Sequence, residues 1–169
     1  MRTWPLIVFV GMSFFGCSGK RPDFDLTGNQ LPPCPDSPNC VSSQATDEGH
    51  RVEPLSFEGD PGAAWDRLAS AVRDMPRAEV VQNTGEWMHA TFASRIFRFV
   101  DDALFHLNPA ERMIHVRSAS RVGYSDLGAN RKRVKAIRSA FEKSGTTGHP
   151  EQRMEKPPVS SQNKTISAD

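Results

Sequence analysis

Between Phe97 and Asn108, the residues Phe97, Phe99, Ala103, Phe105 and Leu107 fall on positions of one parity. Only an extended strand gathers alternate residues on one face, so this run predicts a β-strand with one side turned to a core. Glu79–Asn83, Glu86–Ala93 and Arg112–Ser120 read as strands around it, joined by turns at Thr84-Gly85 and Pro109-Ala110. Two stretches of helical period flank them. In the first, Ala64, Trp65, Leu68, Val72 and Met75 form one apolar face. Asp60 suits its N-cap, Pro61 its first helical position, and Pro76 ends it. In the second, spanning about Leu127–Lys143, Leu127, Val134, Ile137 and Phe141 share a face, with Arg131, Lys135 and Arg138 on its flank and Gly145 closing it. Val52–Phe57 adds a short strand at the start. The order β-α-β-β-β-β-α predicts an α+β fold: a two-layer sandwich, an antiparallel sheet of about four to five strands with two helices on one face.

The remainder is not core. The 13 prolines and 12 glycines of the 169 residues sit mostly outside about Arg51–Lys143, which leaves one modest domain. Met1–Gly16 holds one charge, Arg2, then the apolar run Trp4–Phe15, too short for a stable span but suited to a secretory signal. Phe14-Phe15-Gly16-Cys17 resembles a bacterial lipobox, with Phe14 where leucine is usual, so Cys17 is the expected lipidation site. An ordinary cleaved signal or an uncleaved anchor is the alternative. Ser18–Pro33 reads as a tether that stands the domain off a membrane, 34–143 as the single domain, and Ser144–Asp169 as a disordered tail.

With Cys17 acylated, Cys34 and Cys40 remain, an even pair in an oxidising compartment. Their short, two-proline segment favours a disulfide. A two-thiolate metal site would need two further ligands nearby, so no metal is expected. The formal charge is +1, and 0 once the leader with Arg2 is removed, which gives no whole-chain argument for nucleic acid. The charge is uneven, however. Ser18–His50 has two basic and five acidic residues, a net −3, whereas Arg117–Arg138 has seven Lys/Arg against Asp126, a net +6.

That basic segment holds the candidate site. If Pro109-Ala110 is a two-residue turn, facing residues sum to 219. Phe105 then faces Ile114, Ala103 faces Val116, Asp102 faces Arg117 in an outer-face ion pair, and Asp101 faces Ser118. Asp101 shares the parity of the phenylalanines and points toward the core, where a carboxylate needs compensation. Ser118, Ser120 and a basic residue of the last helix are available for this. Asn130 lies on the apolar helix face in the same way. The expectation is a shared buried polar network, serving as structural glue, as a ligand site or, least of all, in catalysis. The candidate residues are Asp101, Asp102, Arg117, Ser118, Ser120, Arg121, Asn130 and Arg131.

Three motifs carry a resemblance: Cys34-Pro-Asp-Ser-Pro-Asn-Cys40-Val-Ser-Ser43, Phe99-Val-Asp-Asp102, and the run Val116–Arg133 containing Arg-Ser-Ala-Ser-Arg121-Val-Gly-Tyr-Ser-Asp126. Over about Leu31–Phe141 the chain resembles the domain of unknown function 1499 family, which is mostly small bacterial envelope proteins. The resemblance implies export, a single domain and motifs that belong together. It implies no activity and no substrate.

Other chemistry finds little support. Gly123-Tyr-Ser125-Asp-Leu-Gly128 has the wrong glycine spacing for a nucleophile elbow, and Ser125 or Asp126 fits a helix N-cap better. His106 and His115 fall as diagonal neighbours on the outer face and read as exposed bystanders. No phosphate-cradling glycine loop and no cofactor motif is present. Three functions are expected in descending order. The first is non-enzymatic binding of a partner or small anion, held by Arg117, Arg121 and Arg131 and oriented by Asp101 and Asp102. The second is hydrolysis of envelope polymers with Asp101 or Asp102 as general base. The third is a structural or assembly role. Membrane attachment would be through the lipid and nucleic acid is not an expected partner. Ser18 after the cysteine points to the outer membrane over the inner.

Overall fold

The computed structural model describes residues 19–95 and 99–146. Residues 1–18, with the expected signal segment and Cys17, residues 96–98, with Phe97, and residues 147–169, the expected disordered tail, lie outside them. The elements are β1 (Cys40–Ser42), β2 (Leu55–Ser56), α1 (Pro61–Arg73), β3 (Ala78–Asn83), β4 (Trp87–Ala93), β5 (Val100–Asn108), β6 (Met113–Ser120) and α2 (Ala129–Thr146). The strands form one antiparallel sheet in the order β1-β6-β5-β4-β3, with β2 beside β1 on the same edge of β6. The fold is α+β as the periodicities imply, with six strands among the described residues. The strand missed from sequence is β1, only three residues long.

Helix α1 begins where its sequence dictates. The Asp60 carboxylate accepts from the Ala63 amide at 2.7 Å, and Pro61 sits in the first turn. Its buried face packs with Val134, Ile137 and Phe141 of α2 against Met88, Ala90, Phe92, Ala103, Phe105, Ile114 and Val116 of the sheet. Helix α2 starts two residues later than the apolar pattern suggested. Leu127 is 88% exposed, with φ +54, and precedes the helix rather than joining its buried face. The helix also continues through Gly145 to Thr146 instead of closing there.

The β5–β6 register differs from the two-residue turn. Asn108 pairs with Met113, so Pro109–Arg112 is a four-residue connection and facing residues sum to 221. The reason is local. A two-residue hairpin turn favours positive φ, which the proline ring forbids. Arg112 supplies the positive φ, +55, three residues later. A slip of two residues preserves parity, so every inward side chain stays inward. Phe105 now faces Val116, Asp101 faces Ser120 and Asp102 faces Ala119.

The other face of the sheet is covered as well. Leu31 packs with Trp87 and Leu104, and half-buried Phe24 and Leu26 join them. The Leu31 amide donates to Gln44 Oε1 at 2.6 Å, and the Arg117 guanidinium donates to the Pro33 carbonyl at 3.3 Å. The segment from Phe24 to Pro33 is therefore a strap across the sheet, not a stand-off tether. Its apolar residues bury outer-face Trp87 and Leu104, which water would otherwise meet. Cys34 and Cys40 are disulfide-bonded and fasten the end of the strap to β1.

Candidate functional site

Asp101 and Asp102 are consecutive on β5, so their carboxylates leave the sheet on opposite sides. Both are buried, and each meets one arginine of the basic segment. On the helix side, Arg133 of α2 donates to Asp101 and lies over the Phe92 ring, 4.7 Å from its centroid. The same guanidinium donates to Asn130 Oδ1 at 2.5 Å and Ser118 Oγ at 3.1 Å. The Ser118 hydroxyl donates to Asn130 Oδ1 at 2.6 Å. Asn130 Nδ2 lies within 3.1 Å of three acceptors: the Asn39 carbonyl, Ser120 Oγ and Asp126 Oδ2. Asp101 and Asn130 thus belong to one network, with Arg133 as the link. Ser118 and Asn130 are both wholly buried, which such groups tolerate only when their hydrogen bonds are made.

On the strap side, Arg121 grips Asp102 with two nitrogens, Nε at 2.7 Å and a terminal nitrogen at 2.8 Å. His89 Nε2 adds a third contact at 2.7 Å, and Phe24 of the strap packs edge-on against the His89 ring. Burial pushes the Asp102 carboxyl upward. The hydrogen bonds and charges of Arg121 and His89 outweigh it and hold the group below the ordinary carboxylate value. Arg121 responds in kind: the hydrogen bond to Asp102 raises its pKa against the opposing effect of burial. Arg117 is not the partner of Asp102. It faces Leu104 and donates to Pro33, its Nε makes no hydrogen bond, and burial lowers its pKa.

The predicted residues are therefore divided by the sheet. Asp101, Ser118, Ser120 and Asn130 meet on the helix side, whereas Asp102, Arg121 and Arg117 lie on the strap side. Arg131 joins neither group. It is exposed and donates to the carbonyls of Arg51 and Gly49 at 2.7 and 2.6 Å. Arg138 does the same for Pro54 and Glu53. His89, Arg133 and Asn39 were not among the predicted residues. Arg133 follows Asn130 by three and precedes Ile137 by four, a helical step that marked it. His89 shares a parity with Trp87 and Thr91, opposite to that of buried Met88, Ala90 and Phe92, which marked it for the outer face. His106 and His115 are directly paired across the strands, not diagonal, with rings stacked at 6.5 Å. Strap and strands leave His106 buried against Trp87, so it is not an exposed bystander.

Two hollows, of about 890 and 660 Å³, lie elsewhere. The first is framed by Phe57, Arg67, Arg112 and Phe141, the second by Pro33, Gln44 and Asp47. Neither is lined by Asp101, Asp102, Arg121 or Asn130. Among the described residues no cluster of three or more His, Cys, Asp or Glu side chains is placed to hold a metal ion, and no helix is long and apolar enough to cross a membrane.

Loop and helix cap complete the site. The Asp126 carboxylate accepts from the amides of Gly128 at 2.9 Å and Asn130 at 2.7 Å, capping α2 as its position suggested. Asn39 Nδ2 donates to the Gly123 carbonyl at 2.5 Å, which ties the disulfide knot to the loop before α2. The three motifs, distant in sequence, thus converge on one end of the sheet: the knot through Asn39, β5 through its two aspartates, and the basic run through Ser118, Arg121, Asn130 and Arg133. No curated protein and no solved structure matches this chain. The family comparison does: residues 30–141 match the model for proteins of unknown function DUF1499, a span that includes all three motifs, and the chain belongs to that family.

Proposed function

We propose that this protein is a non-enzymatic binding domain of the bacterial envelope. A lipid on Cys17 holds it to a membrane, and the Arg117–Arg133 segment meets a partner or a small anion on the periplasmic side. The observation that carries the reading is the double neutralisation of Asp101 and Asp102. Each carboxylate is buried and gripped by an internal arginine, so the segment is a rigid scaffold that presents a surface. The surface it presents is basic, through Arg131, Lys132 and Lys135 on the exposed side of α2. Such a face attracts anions over a Debye length of about 8 Å.

Hydrolysis with Asp101 or Asp102 as general base has less support. A base of that kind works best unpaired, with its pKa raised toward neutrality, whereas that of Asp102 is lowered. Ser18 after the acylated cysteine favours the outer membrane.

Two measurements test the proposal. Metabolic labelling with an alkyne-bearing fatty acid should mark the wild-type chain and leave Cys17→Ser unmarked; equal labelling refutes the anchor. Calorimetry with phosphorylated sugars, lipid headgroups and cell-wall fragments should detect an anion whose affinity falls several-fold when Arg131 and Lys132 become alanine. If affinity is unchanged in that variant, the basic face is not the contact.

A further inference from the structure

The loop Val122–Gly128 turns its large apolar side chains outward, further than the other exposed one at the site, Phe99, which is 40% exposed. Tyr124 is 76% exposed and Leu127 88%. Neither position is forced by a neighbouring core. Leu127 also holds a φ of +54, disfavoured for any residue with a Cβ, and flanking Gly123 and Gly128 are both in the left-handed region. The loop is held in this shape from below. Asn39 binds the Gly123 carbonyl, Asp126 binds the Gly128 and Asn130 amides, and Asn130 is itself fixed among Ser118, Ser120 and Arg133. The buried polar network thus ends in a rigid tip with a phenol and an isobutyl group displayed to solvent.

A second, independent observation fixes where the chain enters the domain relative to this loop. Gly19, the first described residue, lies against the side chains of Arg121 and Val122. A Cβ there would stand 2.9 Å from Arg121 Cβ and 3.1 Å from Val122 Cγ1. The chain therefore enters the domain at the root of the loop. Cys17 is two residues earlier, and a chain extends at most about 3.6 Å per residue, so its sulfur branches off within roughly 7 Å of Gly19 along the backbone. Acyl chains on Cys17 would enter a bilayer beside Tyr124 and Leu127.

We infer that the Val122–Gly128 loop is a membrane-contacting tip, and that the surface it meets is the phospholipid interface into which Cys17 is anchored. The inference rests on the lipid-anchor reading above and names the partner of that segment as the bilayer itself. Tyrosine and leucine suit the occupant. The phenol places its ring at headgroup level with its hydroxyl wet, and the leucine buries fully. Lys20 and Arg21 on the segment entering the domain and Lys132 on the first turn of α2 are exposed and favour anionic headgroups. Exposed Asp23 and Asp36 offset part of this charge, so the apolar pair carries the contact. The contact would fix the domain with one end down instead of leaving it to swing on its lipid.

The test uses the full lipidated chain in vesicles of phosphatidylethanolamine and phosphatidylglycerol. A nitroxide is placed on Ser125→Cys at the tip or on Ala110→Cys in the β5–β6 connection, at the far end of the sheet. The label at 125 should be shielded from a water-soluble nickel chelate and open to oxygen, and the label at 110 the reverse. Equal nickel access at the two positions overturns the tip. Mass spectrometry of the same preparation reads acylation of Cys17 separately. If the chain carries no lipid, the anchor reading fails by itself and the tip is still tested by vesicle sedimentation. Tyr124→Ser with Leu127→Ser should then lower partitioning about tenfold. Unchanged partitioning, as expected if a soluble protein covers the loop, overturns the inference.

Discussion

On the helix side of the sheet, Met88, Ala90, Phe92, Ala103, Phe105, Ile114 and Val116 meet the apolar faces of two helices. On the other side, Trp87, His89, Leu104, His106 and Arg117 are buried under a strap that has no regular secondary structure. The first face is closed by area removed from water, which is non-directional and tolerates local error. The second is closed by few apolar contacts and many directed ones: the Asp102–Arg121–His89 cluster, Arg117 on Pro33, and Gln44 on Leu31. The comparison teaches where each kind of residue is needed. Apolar burial supplies the stability of the domain, and polar burial fixes which part of the chain sits at which edge.

Substitutions of equal size on the two faces should break that comparison if it is wrong. Leu68 and Leu104 are both fully buried. Leu68→Ala leaves a cavity between packed helices and sheet, and should cost about 3–4 kcal/mol by urea denaturation. Leu104→Ala leaves a hole beneath a strap that can settle into it, and should cost about 2 kcal/mol. Equal losses would mean that the strap is as stiff as the helices. The polar network is next in size. Asp101→Asn leaves Arg133 charged and without its counterion, for a loss of about 3 kcal/mol. Adding Arg133→Met to Asp101→Asn should cost less than the two single losses summed, since the orphaned charge is gone. Replacing Cys34 and Cys40 with serine frees a six-residue separation and should cost about 2 kcal/mol.

Much of the helix-side face was legible in the chain. Strands β4, β5 and β6 show a period of two, α1 shows its Asp60-Pro61 start, and inward Asp101 and Asn130 stand out against apolar neighbours of their own parity or helical step. That both are tied into one polar network, through Arg133, is in keeping with the same patterns. The strap was not legible, and the reason is physical. Phe24, Leu26 and Leu31 have no common period, and the residues they cover, Trp87 and Leu104, lie more than 50 positions away. Pairing of charges was obscured by a different cause. With several arginines within one short segment, composition says that Asp101 and Asp102 will be compensated, and the register decides by which. Once Pro109 lengthens the turn, Arg117 moves away from Asp102 and Arg121 takes its place. Leu127 misled because its spacing fits the helix, while its backbone belongs to the loop.

Acid should weaken the strap-side face by two titrations of the same sign. The folded-state pKa of Asp102 lies below its ordinary value of 3.8, so its contribution is complete above that value and is lost as pH falls through the lower, folded one. The folded-state pKa of His106 lies below 6.5, chiefly because burial disfavours its cation, with the charge of His115 adding to the effect. The unfolded chain therefore takes up that proton first, and stability declines as pH falls from about 6.5 toward the folded value. His106→Phe keeps the contact with Trp87 and should flatten the decline on the acid side of pH 6.5. Asp102→Asn should flatten only the portion near and below pH 4. Denaturation midpoints across pH 7 to 3 separate the two, and a profile unaltered by either substitution would place the acid sensitivity elsewhere.

The smallest effect probes the strap alone. Phe24 is half-buried, and its contact with His89 is edge-on at 5.1 Å. Phe24→Ala removes one half-buried ring from the outer face without touching the helix-side core, so global stability should fall by only about 1 kcal/mol. Its local signature should be larger than its global one. The strap has no ladder of its own, and its regional opening is governed by these few contacts. Amide exchange in Phe24–Leu31 should therefore accelerate more than about tenfold in the variant, while amides of α1 and of Ala103–Leu107 accelerate only about fivefold, the shift that a global loss of about 1 kcal/mol produces. Acceleration spread evenly over both faces would show that strap and helices open as one unit. The division between them would then be one of chemistry alone, with no counterpart in how the molecule opens.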